Sequence, residues 1–424
     1  MKSHIEIHSA GKWVKAAAIV SHGGHRATFE YLPEYVFGER PHPVSLALPP
    51  SMERLGFSED GAPSCPVFLF DLVPQGPGRK YLLQQLGLPN TDDSDIPLAQ
   101  YGACNPIGNL RLDTAVAYFA DWEQKNLTPP VRGFAIEEIV GHSAEFIEHI
   151  WLYAMLAAGT TGVQGAAPKY LLTQDSNGLW FADAALPDHL AKKHWFVKRP
   201  RGRQAEDYSV LRNEAAYHAV AAACGLRAHG ECFVRDNMLF FERFDRVVDN
   251  AQVRRLHQES LVSAVGIPGF PSGLSNFDFA NGVVKYATNP DQELAEFIAR
   301  DVLNQAMRNT DNHGRNTAMQ ILADGTVRLT PIYDFAPMYL DPEGIPRNSR
   351  WLKDGKEITG LNNLLAHIHT TDAVRHSVLK ALRPFAQKLQ KLTNIMAECG
   401  VDKEIINACD ATTAGQLAVL AGLR

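Results

Sequence analysis

The chain has 424 residues, 45% of them hydrophobic, so it can bury a substantial core and should divide into two or three domains. A formal net charge of -6 and a pI near 6.2 argue against a surface that grips nucleic acid, and no direct nucleic-acid contact is expected. The six cysteines form no C-x-x-C pair, which excludes the usual zinc and redox spacings and leaves buried free thiols. The first residues, Met1-Lys2-Ser3-His4-Ile5-Glu6, show no apolar signal core, and no uncharged apolar run approaches the ~20 residues of a membrane span, so a cytoplasmic protein with no membrane contact is expected.

In chain order, Val14 to Val20 and Arg26 to Leu32 read as strands separated by the turn signal Gly23-Gly24. Val67 to Leu72 is a short apolar run, and Arg79 to Leu86 has helical spacing closed by Gly87 as a C-cap. Together these predict a compact α+β domain, assigned here to residues 1–125. Asn126 to Gly133, with Pro129-Pro130, reads as a linker, because tandem prolines continue neither a helix nor a central strand. The period from Ile136 to Leu156 is helical; a Gly-rich loop, Gly159 to Pro168, then meets a strand at Lys169 to Thr173.

Trp195 to Val197 is a further strand ending at Lys198, Asp207 to Cys224 a helix, and Phe233 to Phe241 a third strand. Residues 134–250 are therefore assigned to one lobe and 251–424 to a second, mainly helical one. In the latter Leu294, Phe297, Ile298, Val302, Ala306 and Met307 share one helix face leading into Asn309-Thr310-Asp311-Asn312-His313-Gly314-Arg315-Asn316. The chain past Leu361 is almost wholly helical by period.

Phosphoryl transfer needs a positioned hydroxyl, cations on the phosphates and groups that hold those cations. Protein kinases place a catalytic Asp five residues before a metal-binding Asn, and a second metal-binding Asp after a short strand. Asp311 and Asn316 stand at that spacing, and Asp334-Phe335-Ala336 follows the strand-like Val327 to Tyr333 where a kinase carries D-F-G. By itself Asn309 to Asn316 reads equally as a polar turn. The Gly-rich loop, Lys198 and Asp334, all in kinase order, favour the catalytic reading.

Lys198 stands where a kinase keeps its phosphate-pairing lysine, the alternative being a solvated lysine beside Arg199. Glu214 on the following helix is either its orienting partner or surface charge. Glu242-Arg243-Phe244 occupies the position of an adenine-binding hinge or is an ordinary strand end. Arg199, Arg201 and Arg203 read as a solvated charge run. The sixteen histidines show no metal-ligand spacing, and only His313, inside the proposed loop, is a catalytic candidate.

These residues resemble the HipA-type serine/threonine kinase toxins of bacterial toxin–antitoxin systems, over nearly the whole chain. The N-terminal likeness lies in Pro43 to Pro49, Phe70 to Gly76 and Gly102 to Leu112; the C-terminal likeness in Glu242-Arg243-Phe244-Asp245-Arg246, His257-Gln258-Glu259, Asn309 to Asn316 and Pro331 to Asp334. The resemblance implies that Asp311 is the catalytic base, that Asn316 and Asp334 hold Mg²⁺, and that Lys198 meets the ATP phosphates while Glu242 and Phe244 line the adenine site. It also implies an aminoacyl-tRNA synthetase as substrate and a cognate DNA-binding antitoxin as partner. One departure stands out. The family's loop serine, in a pattern like S-x-x-G-x-Q-x-K, is replaced by Gly162, followed by Val163, Gln164 and finally Lys169. Silencing by autophosphorylation at that position is then impossible unless Thr160 or Thr161 substitutes.

The sequence therefore predicts an α+β protein, a small N-terminal α+β domain followed by a protein-kinase-like two-lobed domain with a helical C-terminal lobe, using ATP and Mg²⁺ to phosphorylate a protein. A small-molecule phosphotransferase and a catalytically silent module acting with a DNA-binding repressor are the rivals.

Overall fold

The structure is a computed structural model and describes residues 1–39, 41–53, 65–126, 132–142, 146, 169–250, 252–270 and 272–423. The chain forms two compact units. One comprises Met1–Lys198, Asp245–Glu259 and Gly266–Gly269; the other comprises Arg199–Phe244, Ser260–Val265 and Phe270–Arg424.

The first unit opens on an antiparallel sheet ordered β3-β2-β1-β4, from β1 (Lys2–Ser9), β2 (Lys12–Ser21), β3 (Ala27–Tyr31) and β4 (Leu110–Leu112). The two expected strands are β2 and β3. Strand β1 escapes a sequence reading because Ile5 and Ile7 are its only large apolar residues, yet both are fully buried. Ala10 and Gly11 join β1 to β2 with positive φ (48° and 77°), the geometry a tight hairpin between right-twisted strands requires. Phe29, Tyr31, Phe68 and Phe70 fill the core beneath the sheet. Val67–Leu72 is a 3-10 helix, and the helix Gly76–Leu86 ends at Gly87 in the left-handed region (φ 63°) as the C-cap reading requires.

A second sheet in this unit has the order β6-β5-β7, from β5 (Lys169–Asp175), β6 (Trp180–Ala182) and β7 (Ala191–Lys198). Its interior is polar at one point, where Asp183 Oδ1 accepts from Thr173 Oγ1 and lies against His194 Nδ1, both at 2.6 Å. Two widely separated pairs of motif segments then meet. The Arg246 guanidinium donates to the carbonyls of Gly108 (2.7 Å) and Pro106 (2.9 Å), and Asp245 accepts the Gly108 N–H at 2.8 Å. Glu259 accepts from Ser45 Oγ and the Leu46 N–H, both at 2.7 Å.

In the second unit the helix Ala205–Ala223 begins two residues before its expected start, because the Asp207 carboxylate reaches back to the Gln204 N–H (2.9 Å) and caps the first turn. The expected single strand Phe233 to Phe241 is in fact a hairpin of β8 (Cys232–Arg235) and β9 (Met238–Glu242). Asp236 and Asn237 turn the chain there at φ 47° and 59°. The helix Pro290–Ala306 buries the expected face, and the strand expected to reach Tyr333 is only Val327–Leu329, paired antiparallel with Ala318–Ile321. Helices Leu361–His367, Asp372–Leu389, Leu392–Glu398 and Lys403–Val419 complete the unit. No helix among the described residues is long and apolar enough to cross a membrane.

Burial pushes the Glu259 carboxyl up to about 8, against the hydrogen bonds from Leu46 and Ser45 that favour its charged form. His257, whose Nε2 is 3.8 Å away, is pushed down to about 4, also by burial. Near neutral pH the contact is thus between two largely uncharged groups rather than an ion pair. An acid whose folded pKa is raised holds its proton better in the fold, so its stabilising contribution is complete below the ordinary carboxylate range and is lost as pH rises towards about 8. The urea midpoint should therefore fall between pH 5 and pH 8 in the native chain and fall less in Glu259→Gln, which keeps an acceptor oxygen but no titration; equal slopes would contradict this.

Candidate active site

The helix Pro290–Ala306 delivers the Asn309–Asn316 segment. Just beyond it, Asn309 is 4% exposed and acts as a junction: Nδ2 donates to Asn304 Oδ1 (2.7 Å) and to the Asp334 carbonyl (3.3 Å), while Oδ1 accepts the Asp311 N–H (3.3 Å). One side chain thereby ties the Asp311 loop to the backbone of Asp334. Asn316 Nδ2 donates to the Asp311 carbonyl at 2.9 Å. That bond fixes the amide orientation and sets its oxygen as the group with the chemistry of a Mg²⁺ ligand. Asp334 itself lies in the left-handed region (φ 51°), a conformation that Asp and Asn tolerate better than most residues.

His313 Nδ1 accepts the Arg315 N–H at 3.2 Å, which leaves the ring proton on Nε2, 3.6 Å from Asp311 Oδ1. The candidate histidine therefore neighbours the candidate base and presents an N–H dipole to it. Asn312 Nδ2 is 3.2 Å from Asp301 Oδ1. Asp301 is buried and also receives Trp351 Nε1 (2.8 Å) and Gln305 Nε2 (2.7 Å). Gly314 fits because it has no side chain: a Cβ there would stand 2.2 Å from Phe279.

The segment after Asp334 is held from the helix Ala205–Ala223. Phe335 packs on Tyr217 with ring centroids 5.0 Å apart, and Tyr217 Oη donates to the Met307 carbonyl at 2.8 Å. Arg201 pairs with the buried Asp341 at 2.7 Å and with Glu343, so this member of the basic run is an anchor rather than a solvated charge.

Phe244 is nearly buried, 5.9 Å from the Tyr333 ring, and Tyr333 Oη donates to the Arg315 carbonyl at 2.9 Å. The Glu242 N–H is engaged by the Glu231 carbonyl (2.9 Å), and its carboxylate accepts the Glu231 N–H (3.1 Å), so Glu242 closes its own hairpin. Glu214 is buried on its helix. In the first unit Lys198 ends β7, buried, directly opposite Lys169. Both ammonium groups flank Phe196, at 5.6 and 5.8 Å from the ring centroid. Thr160, Thr161, Gly162, Val163 and Gln164 lie outside the described residues.

Asp311, Asn316 and Asp334 are thus brought together by hydrogen bonds within one unit. Among the described residues no group of three His, Cys, Asp or Glu side chains could hold a metal ion. The Asp334 carboxylate and the Asn316 amide oxygen suit Mg²⁺, which takes few protein ligands and completes its shell with phosphate and water. Tyr217 and Asp301 went unnoticed in the sequence. Asp301 carried a signal, a carboxylate on the apolar stripe of its helix between Ile298 and Val302. Overpacking at Gly314→Ala should cost about 1–3 kcal/mol in chemical denaturation, because Phe279 is backed by core and cannot withdraw; an unchanged midpoint would show that the loop can shift.

Residues 11–113 match the model of the HipA N-terminal domain, and residues 161–404, more than half of the chain, match that of the HipA-like C-terminal domain. Among solved structures, the chain resembles the Shewanella oneidensis MR-1 toxin–antitoxin system HipA, solved with HipB and its operator DNA. That match has a TM-score of 0.64 and 17% identity, over 99% of this chain and 97% of that one. The Helicobacter pylori proinflammatory kinase CtkA is more distant, with a TM-score of 0.37 and 12% identity over 55% of this chain and 90% of that one, too loose to carry a functional reading. The α+β fold class read from the sequence, a small N-terminal domain followed by a larger domain whose C-terminal part is mainly helical, stands as the HipA fold. The chain belongs to the HipA family.

Proposed function

We propose that this chain is an ATP- and Mg²⁺-dependent serine/threonine protein kinase that serves as the toxin of a toxin–antitoxin pair. The observation that carries the reading is the Asn309 junction, which holds the Asp311 loop against the Asp334 backbone through bonds of 3.3 Å on either side. In this scheme Asp311 accepts the proton of the attacking hydroxyl, and the His313 Nε2–H beside it keeps that carboxylate oriented. Asn316 and Asp334 would hold Mg²⁺, which when bound would neutralise charge on the phosphates. Lys198 would meet those phosphates, and the strand end at Glu242 with Phe244 would line the adenine site.

The domain division proposed with this function is 1–125, 134–250 and 251–424. A DNA-binding antitoxin is proposed as partner because the Shewanella HipA was solved with HipB and operator DNA. The proposed substrate is a translation component of the aminoacyl-tRNA synthetase class, and the proposed location is the cytoplasm. With Gly162 unable to take phosphate, Thr160 or Thr161 is the proposed regulatory acceptor, its added charge competing with the nucleotide phosphates.

Asp311→Asn should lower phosphate transfer from labelled ATP to lysate proteins by about 10²–10⁴-fold while leaving nucleotide bound. Unchanged labelling would remove Asp311 from the mechanism, and transfer to small molecules alone would favour the phosphotransferase rival. Asp334→Asn keeps the left-handed backbone accessible and removes one metal-binding charge, so Mg²⁺-dependent ATP affinity should drop; equal affinity in calorimetry would contradict that role. Expression without a partner should arrest growth, with relief in Asp311→Asn. Arrest by both forms would point instead to the silent binding module.

A further inference from the structure

The helix Pro290–Ala306 ends in a way that gives Arg308 a task. The Asn309 N–H returns to the Asn304 carbonyl at 2.8 Å and the Arg308 N–H to the Gln305 carbonyl at 3.3 Å, the paired bonds of a Schellman motif beyond the C-cap Met307. In that motif the residue after the cap is left-handed and is usually glycine; here it is Arg308, at φ 56°. An arginine in this conformation carries a steric cost that glycine does not. The backbone alone would favour a residue with no side chain, so the contacts of the side chain are what offset that cost.

Those contacts reach two further stretches of chain. The Arg308 guanidinium lies over the Tyr339 ring, 3.9 Å from its centroid, and Nη1 donates to the Ala408 carbonyl (3.3 Å) in the helix Lys403–Val419. The Arg308 carbonyl accepts the Tyr339 N–H at 3.3 Å, so backbone and side chain both fasten it to the segment that follows Asp334. The neighbouring carbonyls at the helix end are also taken from outside: Thr412 Oγ1 donates to Ala306 (2.7 Å) and Tyr217 Oη to Met307 (2.8 Å). Next in the chain is Asn309, whose side chain spans the Asp311 N–H and the Asp334 carbonyl. The direction in which Asn309 leaves the helix is therefore set by the turn at Arg308.

We propose that Arg308 is a positioning residue for phosphate transfer: strapped to Tyr339 and to the helix Lys403–Val419, it holds the left-handed turn from which Asn309 bridges the Asp311 loop to Asp334. The inference rests on the kinase reading above and goes beyond it by naming a residue outside the catalytic set that governs its geometry. The stretch after Asp334 has other anchors, Phe335 on Tyr217 and Arg201 on Asp341, whereas the turn into the Asp311 loop has Arg308. Cutting the straps should thus displace Asp311 more than Asp334. A small displacement of a base from the reacting hydroxyl lowers the rate steeply and leaves nucleotide affinity alone.

The test measures phosphate transfer from labelled ATP to lysate proteins, with Mg²⁺ and the full chain, alongside ATP affinity and the urea midpoint. Arg308→Gly relieves the backbone as it cuts both straps, so its midpoint should stay near the native one while its maximal rate falls about ten-fold at unchanged ATP KM. Arg308→Lys keeps a cation for the Tyr339 ring and should recover part of the rate. Adding Tyr339→Leu to Arg308→Gly should lower the rate little further, because both changes act through one contact. A native rate in Arg308→Gly, no recovery in Arg308→Lys, or a rate loss matched by a fall in midpoint or in ATP affinity would overturn the inference and leave the kinase reading in place, provided that transfer still depends on Asp311. Transfer indifferent to Asp311→Asn would remove the kinase reading and the inference with it.

Discussion

Asp301 places a carboxylate on the buried side of the helix Pro290–Ala306, where water cannot solvate it. Leaving such a group without partners would cost several kcal/mol. The protein satisfies it from several directions at once: Trp351 and Gln305 on Oδ2, Asn276 and Asn312 on Oδ1, with Arg347 at 3.5 Å. Apart from Gln305 on the same helix, the donors come from three other stretches of chain, so this one carboxylate gathers the start of the helix Asn276–Tyr286, the candidate catalytic loop and the segment from Arg347 to Trp351. The helix that delivers the loop also holds it from underneath.

A similar economy governs the stretch beyond Asp334. Phe335 has the buried Tyr217 ring to pack on, and Tyr217 donates its hydroxyl to the Met307 carbonyl at the entrance to the candidate catalytic loop. Further along, Arg201 and Asp341 fasten the chain to the residues that precede the helix Ala205–Ala223. A displacement of that helix would therefore pull on both the loop entrance and the residues after Asp334. The coupling needs no long-range pathway because each step is a direct contact.

Much of this was legible in the sequence for physical reasons. Asp311, Asn316 and Asp334 could be singled out as candidates because the phosphoryl-transfer chemistry proposed for them restricts residue type and spacing, and the helix Pro290–Ala306 because burial imposes its period. Asp301 was readable only as an oddity on an apolar stripe, and Tyr217 had no local signal, since its importance comes from residues far along the chain. The hairpin at Asp236-Asn237 carried a turn signal within a run dominated by phenylalanine, and apolarity outweighed it. Strand β1 had the opposite defect, with polar residues masking two buried isoleucines. The motif segments Pro43 to Pro49 and His257-Gln258-Glu259 were recognisable as a likeness, but nothing local could say that Ser45 and Glu259 would bond across 214 positions.

That long reach has a consequence for how the molecule is made. The first unit takes most of its residues from before Lys198, yet the Asp245-Arg246 pair that satisfies Pro106 and Gly108, and the Glu259 that satisfies Ser45 and Leu46, come only after a long excursion into the other unit. As the chain emerges in order from the ribosome, these polar groups of the first unit can exchange water for their native partners only once residue 259 has appeared, by which time much of the second unit is still unmade. Neither unit can be cut out at a single site, and the two are interleaved in synthesis as well as in sequence.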